Sequence, residues 1–77
     1  MTQEAATKYY DTLMVIGAQN AILDDEEEEA STRHLHILLE AHQQASKIVE
    51  EAGLIELARI HDERIDSIQE EIEQYEV

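Results

Sequence analysis

His34, His36, His42 and His61 are the side chains best equipped here for acid–base or metal chemistry. Imidazole titrates near neutrality and is the commonest metal ligand. His34 and His42 fall on or near the apolar stripe of one helical segment, about two turns apart. His61 lies mid-stripe on the next segment. If the two segments fold back on each other at Gly53, His61 comes opposite Ala45, Ser46 and His42. The spacing allows His42 to pair with His61 but does not require it.

A metal site would need a third ligand at that level, and none falls there. No histidine is preceded by glutamate at a spacing of three, and His-Glu-x-x-His is absent. His34 and His36 alternate around a helix, so they do not chelate from one face. The expectation is no metal and no cofactor, with the histidines hydrogen-bonded at the edge of a core. Nucleophiles are equally scarce. Ser31, Ser46 and Ser67 are the only serines, there is no cysteine, and there is no glycine-rich phosphate loop. No catalytic residue is assigned, and the chain is expected not to be an enzyme.

The carboxylates are the other chemical feature. Nineteen acidic residues stand against five basic ones, for a net charge of −14. Such a chain repels nucleic acid and anionic membranes and is drawn to basic surfaces. The run Asp24, Asp25, Glu26, Glu27, Glu28, Glu29 concentrates this charge. It has two compatible readings. It starts a helix, with an aspartate capping free N–H groups and the glutamates against the positive end of the dipole. It is also a recognition surface for a basic partner. It is not an EF-hand loop, because it neither alternates ligands nor contains the glycine of the sharp turn.

Three helical segments must position these groups. Proline is absent and glycine occurs only twice, so long helices are nearly unopposed. Residues 2–23 place Ala5, Tyr9, Leu13, Ile16, Asn20 and Leu23 on one face. Val15, Ala18 and Ile22 form a second, smaller strip, read either as scattered apolar surface or as a contact with another chain. Residues 25–52 carry a broad face of Ala30, Ile37, Ala41, Ala45, Ile48 and Ala52, widened by Leu35, Leu38, Leu39 and Val49. A face this wide suits a central helix packed on two sides. Gly53 supplies the left-handed residue that stops it. Residues 54–75 form a narrow stripe of Leu54, Leu57, Ala58, His61, Ile65, Ile68, Ile72 and Tyr75. Its isoleucine spacing resembles a coiled-coil seam over only about three heptads.

The expected fold is all-α: a single domain, a small antiparallel bundle of three helices. The alternative is a long helical hairpin that dimerises. The sequence shows neither a membrane span nor a signal-peptide pattern, so a cytoplasmic protein is expected. A core this small favours a homo-dimer or higher oligomer, with Val15, Ala18 and Ile22 as its contact.

The leading functional expectation is a non-enzymatic acidic binding module, an inhibitor or antagonist. Small phage-encoded or mobile-element antagonists are analogous in size and charge. Its partner-binding residues would be the run from Asp24 to Glu29 together with Asp62, Glu63, Asp66, Glu70 and Glu73. These would dock on a basic protein surface, one that itself holds nucleic acid. The alternative is a structural or assembly protein acting through its apolar faces.

Overall fold

The computed structural model describes residues 1–23 and 32–75. Three helices make up the architecture: α1 (Gln3–Leu23), α2 (Thr32–Glu51) and α3 (Ile55–Tyr75). There is no strand among the described residues. Gln19 of α1 meets His34 of α2, and His42 and Ser46 of α2 meet His61 and Asp62 of α3. The tight turn at Gly53 folds α3 back along α2. The start of α1 lies beside the end of α2, where Glu4 and Lys8 line one groove with Lys47 and Glu51. Neighbouring helices are therefore antiparallel, and α1 and α3 run the same way. The fold is a small antiparallel three-helix bundle, with α1 packed on α2 within the one chain. None of the described helices is long and apolar enough to cross a membrane.

Each boundary has a local cause. Thr2 caps α1: its Oγ1 accepts from the Ala5 N–H at 3.1 Å and its carbonyl from the Ala6 N–H at 2.9 Å. The helix α2 stops at Gly53, whose φ is +80°. The Leu54 N–H donates to the Val49 carbonyl at 2.8 Å and the Gly53 N–H to the Glu50 carbonyl at 3.0 Å. These are the paired bonds of a Schellman cap, which satisfies carbonyls the last turn would orphan. Part of the expected second helix, residues 25–31, lies outside the described residues.

The helix α2 is central. It packs against both neighbours, while no Cα of α1 comes within 8 Å of a Cα of α3. Its fully covered side chains are Leu35, Leu38, Ala45 and Val49. Ile37 and Ile48, expected on its apolar face, are only half-buried. Ala30 and the side chain of Leu23 lie outside the described residues. On α1, Ile16 and Thr12 turn inward, while Leu13, expected in the stripe, is 39% exposed. Thr12 is tolerated there because its hydroxyl donates to the Lys8 carbonyl at 2.8 Å. On α3, Ala58, His61, Ile68 and Ile72 are buried, and Leu54, Leu57 and Tyr75 lie outside the core.

The core is thin, so its boundaries matter energetically. A Cβ at Gly53 would meet no atom within 4 Å, which leaves the backbone angle as the cost of substitution. Gly53→Val should destabilise the fold by about 1 kcal/mol or more. Urea unfolding checks this, and an unchanged midpoint would mean that the turn does not need a left-handed residue.

Candidate functional site

Three polar side chains, one from each helix, meet inside the bundle. His42 Nδ1 lies 2.9 Å from His61 Nδ1. His61 Nε2 lies 2.9 Å from Tyr9 Oη. The Tyr9 and His61 rings meet edge to face, with centroids 5.8 Å apart at 85°. The two imidazoles are tilted by 49° at 5.2 Å. His42 and His61 are both buried. Beside them, Ser46 Oγ donates to Asp62 Oδ1 at 2.7 Å, a second polar tie between α2 and α3.

A contact between two Nδ1 atoms holds one proton. Either His42 donates to His61, and His61 then donates from Nε2 to Tyr9, or the chain runs the other way from the Tyr9 hydroxyl. In both directions His42 Nε2 is left over, buried and without a hydrogen-bond partner among the described residues. Charging both rings would set two N–H groups against each other. Burial, then the neighbouring His61 and Arg64, lowers the His42 pKa from 6.5 to about 4. Burial lowers that of His61 as well, opposed by Asp62. The pair is therefore held neutral near pH 7.

The cluster joins the three helices. The grooves along α1 and α2 are lined by groups such as Asp11, Thr12, Val15 and Gln44, away from the imidazoles. Among the described residues, no three His, Cys, Asp or Glu side chains converge as a metal would need. His34 is taken up elsewhere, 3.0 Å from Gln19 Oε1.

The acidic candidates separate. Asp24 and Asp25, with Glu26, Glu27, Glu28 and Glu29, lie outside the described residues. Asp62 turns toward α2 and accepts from Ser46. Glu63, Asp66, Glu70 and Glu73 are all exposed, and their spacing of three, four and three residues puts them in one stripe. No basic side chain pairs with this stripe among the described residues. The ion pair among the described residues is Glu4 with Lys8 on α1, at 3.6 Å with both side chains largely exposed. Of the expected oligomer contact, Val15 and Ala18 are exposed and Ile22 is half-buried.

Sequence reasoning missed two features. One is Tyr9 as the partner of His61. The other is an outer α1 surface of Tyr10, Leu13 and Met14, which are 63%, 39% and 60% exposed. The available signal for the second was that residues 12–23 contain no charge at all. Comparison with known proteins finds no matching family model, curated protein or solved structure, so function must be argued from the chain's own residues.

The neutral pair makes stability depend on pH. Between pH 6.5 and about 4 the unfolded chain binds a proton at His42 that the folded chain refuses. Stability is therefore full above that window and falls on acidification through it, by roughly 3 kcal/mol at most. Protonation of carboxylates relieves repulsion and opposes this only near the lower end, around pH 4. Urea unfolding at a series of pH values should show the loss, and His42→Leu should flatten it. A wild-type curve flat from neutrality to the carboxylate range would refute the buried neutral pair.

Proposed function

We propose that this protein is a non-enzymatic acidic binding module that docks carboxylates on a basic protein surface, as an inhibitor or antagonist of a protein that itself holds nucleic acid. The observation that carries the reading is the uncompensated stripe of Glu63, Asp66, Glu70 and Glu73 on the exposed side of α3. Like charges three and four residues apart on a helix destabilise it by about 0.2–0.5 kcal/mol per pair. Solubility needs a net charge of only about 2–8 in magnitude, and the chain carries −14. The stripe repeats a charge about every 4.5–6 Å along a rigid axis, which presents a line of negative charge to a groove that otherwise binds a phosphate backbone. The run from Asp24 to Glu29 adds to the same charge.

Neither a ligand pocket nor a nucleophile is invoked. The histidines serve to hold the helices in register, so that α3 presents its carboxylates as one edge. The alternative is assembly through apolar helix faces, as a homo-dimer or higher oligomer. Exposed Val15 and Ala18 favour it, and so do Tyr10 and Met14 more strongly.

Salt and charge separate the two. Replacing Glu63, Asp66, Glu70 and Glu73 together by Gln, Asn, Gln and Gln should leave the fold intact or firmer, by a few tenths of a kcal/mol per relieved pair. It should weaken binding to the basic protein captured from a native-host lysate at low salt, mainly through slower association. Wild-type binding should itself fall steeply as salt rises. Equal affinity of variant and wild type at low salt would sink charge docking.

A further inference from the structure

The helix α1 is unusual in this acidic chain. It carries one lysine, Lys8, against Glu4 and Asp11, whereas α3 carries seven carboxylates against two arginines. Its inward face is spent on α2, through Thr12 and Ile16. Its outward side still presents Ala6, Tyr10, Leu13, Met14, Gly17 and Ala21, all exposed. Their spacing of four, three, one, three and four residues forms a single stripe. A helix apolar on both its inner and its outer side is covered on both sides in its working state.

The pattern of this stripe says what covers it. Read from either end it runs small, large or notch, then the central pair. Placed against its own copy in the opposite direction, about a two-fold axis between Leu13 and Met14, Ala6 lies level with Ala21 and Tyr10 level with Gly17. Leu13 and Met14 of both copies fill the central layer. A two-fold contact has this reciprocity, in which residue i meets j and j meets i. Gly17 has no atom within 4 Å of where its Cβ would stand, so the position is an open notch, and the large exposed ring on the same stripe is Tyr10. The charge distribution selects the same partner. A second copy approaching α3 would bring carboxylates together, while the outer α1 stripe contains no charge and keeps the two α3 edges apart.

We propose that the outer stripe of α1 is a self-recognition surface, on which a second copy of this chain packs its own α1 antiparallel, with Tyr10 of each protomer seated over Gly17 of the other. The surface differs from the strip of Val15, Ala18 and Ile22, which lies on the opposite flank of α1. The inference does not rest on the acidic-docking reading, and the two fail separately.

The test uses the full chain. Sedimentation equilibrium of the wild type at tens of micromolar should give twice the 8.8 kDa chain mass. Tyr10→Glu and Gly17→Leu should each raise the dissociation constant by about tenfold or more, as loss of a central anchor does, with helical circular dichroism retained. Val15→Glu should leave it unchanged. Cross-linking tests the register without disturbing the fold, because the chain has no cysteine of its own. Met14→Cys, close to the axis, should oxidise to a covalent dimer. Ala6→Cys alone should not, since its copies stand about 22 Å apart along the helices. The double variant Ala6→Cys with Ala21→Cys should. A monomer at this concentration overturns the proposal. So does a dimer that survives both stripe variants, or one that only Val15→Glu dissociates.

Discussion

One shared proton, between Nδ1 of His42 and Nδ1 of His61, sets the level at which the helices meet. The contact works only while one nitrogen is protonated and the other is not, and burial keeps it in that state. Because His61 reaches on to Tyr9 with its other nitrogen, the same imidazole that fixes α3 on α2 also locates α1. That matters in a bundle whose outer helices do not come within 8 Å of each other at Cα. Apolar contact here is supplied almost wholly by the two faces of α2, with Leu35, Leu38, Ala45 and Val49 at their centre. Such contact is tolerant of sliding by a turn, whereas a hydrogen bond of 2.9 Å is not. The unpaired His42 Nε2 is part of the cost of that register.

What could be read from the residues depended on how far each constraint reached along the chain. Gly53 was legible because a stop at the end of an apolar-periodic run has few chemical solutions. The approach of His42 to His61 was legible only as an allowance: counting back from the turn puts them at similar levels, but which way each ring faces is settled by the structure. Tyr9 was not legible as the third member. Periodicity puts Tyr9 on the inner stripe of α1 but does not fix the level at which that stripe meets the other helices. The exchange of Thr12 for Leu13 on the inner face has a different cause. Neighbouring residues differ by about 100° around a helix, so periodicity cannot decide which edge of a wide stripe turns in. The threonine wins by bonding its hydroxyl to Lys8. The acidic candidates dispersed for a similar reason: Asp62 stands one residue from Glu63 and therefore on a different side, facing Ser46.

Charge and apolar surface are divided unevenly: the later part of α3 exposes Glu63, Asp66, Glu70 and Glu73, while its first turns also expose Ile55, Leu57 and Ile60. The carboxylate stripe of α3 and the uncharged stripe of Tyr10, Leu13 and Met14 on α1 lie on helices that α2 keeps apart. Repulsion among the acids and attraction among the apolar groups then act in different directions on the molecule.

Tyr9 and Tyr10 are adjacent in sequence, yet they answer to different surroundings. Tyr9 is half-buried with its hydroxyl on His61, and Tyr10 stands in solvent. The third tyrosine, Tyr75, is exposed at the far end of α3, and the chain has neither tryptophan nor phenylalanine. The near-ultraviolet signal of the protein therefore comes from three phenols in three settings. An immobilised ring against an imidazole gives optical activity that a freely turning one does not, so in the single chain, with Tyr10 in solvent, the near-ultraviolet circular dichroism is in the main a reading of a single internal joint. The molecule carries its own optical gauge of whether its helices are in register, with no label attached.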